Sequence, residues 1–115
     1  MSGVNARRGE IAAEFDGKQY RLCLTLGALA ELEQAFGVGN LADLAARFTG
    51  GKLAAEDLVR IVGAGLRAGG HAIDDEAVRH MHTPDGAAGF VRIAGRLLAA
   101  TFGTRAEKEE TPPNP

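Results

Sequence analysis

The chain has 115 residues and a mass of 12.0 kDa, the size of one domain. Its 13 Lys+Arg against 15 Asp+Glu give a net charge of -2, so no positive excess drives general nucleic-acid binding. One cysteine excludes an intrachain disulfide and a cysteine-based zinc site, and no apolar run approaches the roughly 20 residues that span a bilayer.

Residues 1–8 show no periodicity and read as a flexible N-terminus that lacks the apolar core of a signal peptide. The next segment, GEIAAEFDGKQYRLCLT, reads as a β-hairpin. Asp16-Gly17 is a preferred pair for a two-residue turn, because both central positions need φ above zero. Closing the turn there pairs Phe15 with Lys18, Ala13 with Tyr20 and Ile11 with Leu22. Ile11, Ala13 and Phe15 then share an apolar face with Tyr20, Leu22 and Leu24. Glu10, Glu14, Gln19 and Arg21 lie on the wet face. A lone hairpin is marginal, so it must rest on the helices or pair with another chain.

Everything afterwards has helical spacing. Thr25 is placed to cap a helix through Leu26, Leu29, Leu32 and Phe36, with Gly37 beyond its end. Asn40 caps a second helix, Leu41 to Phe48, with Leu41, Leu44, Ala45 and Phe48 on one stripe. Asp43 and Arg47 form an i,i+4 pair on its wet side. Gly50-Gly51 break the chain. A third helix, from about Ala54 to Arg67, buries Leu58, Ile61, Val62 and Leu66 and ends at Gly69-Gly70. Asp74 caps a fourth, from Asp75 to about Met81. Thr83-Pro84 then opens the last helix, with Pro at its first position, running to about Phe102 before Gly103. The remainder, TRAEKEETPPNP (104–115), is polar and Pro-rich and reads as disordered. The fold class is α+β, mainly α: an N-terminal β-hairpin followed by about five helices, with residues 9–103 as a single domain.

The third and last helices carry four interior glycines, Gly63, Gly65, Gly89 and Gly95, each costing about 1 kcal/mol relative to Ala. Close helix crossing is one explanation; close approach of a partner is the other.

Chemistry is sparse. His80 and His82 are two apart on a helical spacing and point to different faces, so they do not chelate one ion; solvated or capping roles are expected for them. Gly63-Ala64-Gly65 with Gly69-Gly70 lies inside and at the end of a helix, not between strand and helix as a phosphate loop requires. Cys23 reads as a half-buried structural thiol. The only serine is Ser2, in the flexible terminus. Arg92 and Arg96, one turn apart, form a positive strip that is either a solvated face or a docking patch for an acidic partner. The expectation is a protein without catalysis, cofactor or metal.

The runs RGEIAAEFDGKQYRLCLTLGALAELEQAFG, LADLAARFTGG and EDLVRIVGAGLRAGG, most tellingly Asp16-Gly17, Thr25 to Leu29, Glu31, Glu33, Phe36-Gly37 and Ile61 to Gly70, resemble a small family of gene transfer agents and related phages. The resemblance covers roughly residues 7 to 103, and it implies a phage tail protein of tail tube or tail assembly chaperone type. A chaperone would bind the tape measure protein, keep its long apolar helix soluble and help recruit tail tube subunits. A tube protein would remain in the particle. One hairpin followed by helices favours the chaperone, since a tube subunit needs strands that continue around a ring. An unrelated small interaction or regulatory domain is the remaining alternative. The location implied is the bacterial cytoplasm or the particle itself. Expected interaction surfaces are the hairpin with Ile11, Ala13, Phe15, Tyr20, Leu22 and Leu24; the end of the third helix with Gly63, Gly65 and Arg67; and Arg92 with Arg96. Association with a second copy belongs to the same expectation.

Overall fold

The computed structural model describes residues 9–49 and 53–103. The readings made for residues 1–8, for the Gly50-Gly51 break and for the 104–115 tail lie outside the described residues. Strands β1 (Ile11–Phe15) and β2 (Lys18–Leu22) form an antiparallel hairpin. Helices α1 (Leu26–Phe36), α2 (Leu41–Thr49), α3 (Ala55–Ala68), α4 (Asp75–Val78) and α5 (Ala87–Phe102) follow.

The hairpin has the register that its turn dictates, Ile11 opposite Leu22, Ala13 opposite Tyr20 and Phe15 opposite Lys18. Asp16 and Gly17 both take positive φ, 53° and 80°, as a primed two-residue turn demands. The tip is tied down by the chain between α4 and α5. Asp16 N–H donates to the His82 carbonyl at 2.8 Å, and His82 N–H donates to Asp16 Oδ1 at 3.0 Å.

The apolar face of the hairpin lies on α3 and α5. Phe15 and Leu22 are fully buried, together with Leu32, Leu44, Ile61, Val62, Leu66, Ala94 and Leu97. Phe15 meets the Tyr20 ring edge-on, with 5.8 Å between centroids, and lies 5.6 Å from Phe90. Helix α3 is the central element: it touches α1, α4, α5 and β2.

The caps of three helices follow the sequence. Thr25 Oγ1 accepts from Ala28 N–H at 3.1 Å, and Gly37 closes α1 in the left-handed region at φ 70°. Asn40 Oδ1 accepts from Asp43 N–H at 2.8 Å, and Asp74 Oδ1 from Ala77 N–H at 2.9 Å.

Other details depart from the pattern. Leu26 is 75% exposed and Leu41 39%. Each is the first residue of its helix, and side chains tilt towards the helix N-terminus, so each projects past the neighbour that covers the rest of its stripe. Arg47 does not pair with Asp43. It reaches Asp57 on α3 at 3.6 Å and lies over the Phe36 ring, 4.8 Å from its centroid. Leu58 is only partly covered, whereas Asp57 is buried and its Oδ2 accepts from Ala54 N–H at 2.9 Å, closing the start of α3. Helix α4 stops at Val78 instead of Met81, because His80 and Met81 N–H turn back to the carbonyls of Ala77 and Val78 and bring His82 to the hairpin tip. Helix α5 begins at Ala87, not at Pro84. Gly86 has φ 62°, which interrupts helical geometry, and the Thr83 hydroxyl donates to the Gly86 carbonyl at 2.8 Å instead of capping a helix.

Candidate functional surface: two hairpin edges and two grooves

The outer edge of β2 is covered. Arg21 N–H donates to His71 Nε2 at 3.3 Å, and Cys23 N–H donates to the Gly65 carbonyl at 3.2 Å. His71 also meets Tyr20 edge-on, with ring centroids 5.0 Å apart. This closeness depends on glycine. A Cβ on Gly65 would press on Leu97 and Leu22, and one on Gly69 would run into the Arg21 carbonyl. The Cys23 thiol donates to the Ala68 carbonyl at 3.4 Å. Burial pushes its pKa up, the Glu10 charge adds to that, and Arg21 opposes both. The thiol is held as a weak donor, not activated as a nucleophile.

Arg67 fastens the C-terminal end of α3. Its guanidinium holds Glu31 of α1 at 2.5 Å, Asp75 of α4 at 3.1 Å and the Ile73 carbonyl at 2.9 Å. Partial burial alone would lower its pKa; the two carboxylates outweigh that and hold it above its usual value. Gly63 makes room for this arrangement, since a Cβ there would collide with Asp75. Gly89 likewise admits Thr83. Gly95 is different: nothing lies within 4 Å of where its Cβ would be.

Among the described residues, no strand or backbone group pairs with the outer edge of β1. Beside it, between β1 and the first half of α5, runs a groove of about 220 Å³ lined by Ala12, Glu14, Gln19, Asp85, Arg92 and Arg96, among others. Arg92 is bound to Asp85 at 2.8 Å, so the arginine strip is half neutralised. The hairpin side chains Ile11, Ala13, Phe15, Leu22 and Leu24 are all buried, and Tyr20 is half-buried. What this hairpin offers a neighbour is therefore backbone, along with the Ala12 and Glu14 face.

A second groove, of about 150 Å³, is almost wholly apolar. Leu58 and Val59 of α3, Val78 of α4, Met81, and Ala87 and Phe90 of α5 line it, with Ala55 and Arg79 at its margin. Its rim is charged. Arg79 bridges Glu56 at 2.7 Å and Glu76 at 3.0 Å, and Arg60 approaches Glu56 at 3.7 Å. Glu76 also meets His80 at 3.1 Å; His80, then Arg79, holds its carboxyl below the usual value. The sequence shows each of these apolar residues on its own helix. No spacing rule brings three separate elements to one groove, so the juxtaposition was not legible there.

The three histidines are not brought together. His71 serves the β2 edge, His80 the Glu76 carboxylate and His82 the hairpin tip. Among the described residues, no group of three or more His, Cys, Asp or Glu could hold a metal ion, and no helix is long and apolar enough to cross a membrane.

A family model described as phage tail tube protein, GTA-gp10, matches residues 8–104. No curated protein and no solved structure matches the chain.

Proposed function

The chain belongs to the GTA-gp10 phage tail tube protein family, and from that premise we propose that it is a non-enzymatic tail assembly chaperone that binds the tape measure protein, tail tube subunits, or both. The observation that carries this reading is the covered edge of β2. A tube ring built by strand continuation needs both edges of every subunit's sheet free to pair with neighbours. Here one edge is occupied by α3 and the His71 segment, so the sheet can extend in one direction only.

The apolar groove between α3, α4 and α5 supports the same reading. It is concave, lined by Leu, Val, Met and Phe, and rimmed by charges of both signs. An amphipathic helix inserts side chains at i, i+3 and i+4 into such a groove, and methionine adapts to varied partners. The long apolar helix that the family resemblance implies for a tape measure protein is the partner we propose for this groove.

A structural tail component is the second reading, favoured by the family's own description as a tail tube protein. Co-expression with the tape measure and tail tube proteins of the same gene cluster separates the two. The chaperone reading expects a soluble stoichiometric complex by size-exclusion chromatography with light scattering, and no copy of the chain in finished particles. Presence in purified particles at a stoichiometry matching tail symmetry would replace it with the structural reading.

A further inference from the structure

In a two-residue hairpin the pair that closes the turn exchanges hydrogen bonds, and so does every second pair after it. Those pairs here are Phe15–Lys18, Ala13–Tyr20 and Ile11–Leu22. The N–H and C=O groups of Ala12 and Glu14 consequently point away from β2. Among the described residues they have no hydrogen-bond partner. A row of unmet backbone groups is a template for one kind of ligand, another strand.

The charges beside that edge indicate which strand. The groove carries Glu14, Asp85, Arg92 and Arg96. Asp85 already holds Arg92. Glu14 and Arg96 have no ion pair among the described residues. One carboxylate and one guanidinium are left over, so a strongly acidic or strongly basic strand would leave one of them unmatched. A second copy of this chain matches both.

We propose that β1 pairs antiparallel with β1 of a second copy, about a two-fold axis at Ala13, to make a four-stranded sheet. Antiparallel pairing centred there sets Ala12 opposite Glu14 of the second copy, and Glu14 opposite its Ala12. Each such pair exchanges two N–H···O bonds, which satisfies all the outward groups of both residues. Strand β1 runs against α5. Its start lies by the C-terminal turn of α5, since a Cβ on Gly9 would be 3.4 Å from the Ala100 carbonyl, and its end lies by Phe90. Ala12 is thus on the Arg96 side of the groove, and Glu14 of the second copy arrives beside Arg96. The contact is isologous, so both copies gain the same pair. The covered β2 edges end the sheet at four strands and prevent a filament. This inference rests on the fold and its charges and goes beyond the tail reading.

The test is the oligomeric state of the full chain by light scattering and sedimentation over a wide concentration range. A concentration-dependent dimer is expected. Glu14→Arg and Arg96→Glu should each weaken it roughly tenfold, the effect of two repelling strand-to-helix charge pairs across the two-fold contact, while the double exchange restores it. Far-UV circular dichroism and thermal melting confirm that each variant folds. Ala12→Pro, which removes an outward N–H without touching the β1–β2 ladder, should also yield monomer. A full chain that is monomeric at every concentration overturns the proposal and leaves the edge to a strand of another protein. A dimer indifferent to the single exchanges, or a double exchange no better than either single, overturns it as well. A failed co-expression with tail proteins would remove the chaperone reading and leave this result untouched.

Discussion

The two edges of the hairpin have the same backbone chemistry and different surroundings. At β2, Arg21 and Cys23 N–H find acceptors on His71 and Gly65, because α3 lies against the strand with no Cβ between them. At β1, the nearest helix stands off across a groove whose margin carries Glu14, Arg92 and Arg96. A strand edge is closed where its neighbour is built of glycine and open where its neighbour carries long charged side chains. Among the described residues the difference leaves one edge of the hairpin for another strand, and the proposed partner-binding role rests on that asymmetry.

The sharpest way to break this contrast is at the covered edge. Gly69→Ala drives a methyl into the Arg21 carbonyl, a backbone atom that cannot swing aside. Overpacking costs about 1–3 kcal/mol, and this site belongs at the upper end. Urea unfolding should show it, and unchanged stability would mean that α3 does not hold the β2 edge. Arg67→Ala acts one step back, releasing the end of α3 from Glu31 and Asp75. With the arginine side chain 30% exposed, the loss should fall between that of a surface pair and a buried one, about 1–2 kcal/mol by the same assay.

On the open side the sign reverses. Gly95 has empty space where a Cβ would lie, so Gly95→Ala should gain helix propensity without a clash and stabilise by up to about 1 kcal/mol. A loss in that variant would reveal a close neighbour on the α5 outer face. The smallest effect concerns Cys23. Its raised thiol pKa means that folding favours the protonated form. That contribution is present below the ordinary thiol value and is lost as pH rises through the raised one. Alkylation at about pH 8 should therefore be slower in the folded chain than in the urea-unfolded chain. Equal rates would show a thiol free of burial.

Much of the fold was legible because its signals are local. The Asp16-Gly17 turn fixes the hairpin register through φ, Thr25, Asn40 and Asp74 cap through a side-chain oxygen three residues from an amide, and helical spacing marks the apolar stripes. The boundaries that shifted are those set from outside the element. Helix α4 ends early because His82 is needed at the hairpin tip. Helix α5 starts late because Gly86 takes a positive φ and Thr83 turns its hydroxyl to the Gly86 carbonyl.

The surfaces divide the same way. Gly63, Gly65 and Gly89 were recognisable as helix glycines, but only packing reveals that they admit Asp75, Leu97 and Thr83, and that Gly95 admits nothing. Arg92 and Arg96 were recognisable as a strip, but only the tertiary structure places Asp85 against one of them and Glu14 beside the groove they share. The sequence by itself determined the order of the elements, the hairpin register and the caps at Thr25, Asn40 and Asp74, because those depend on contacts between residues a few positions apart. Which edge closes, which charge stays unmatched and where three helices leave an apolar groove were decided by tertiary structure, because they depend on distances between residues tens of positions apart that no local pattern encodes.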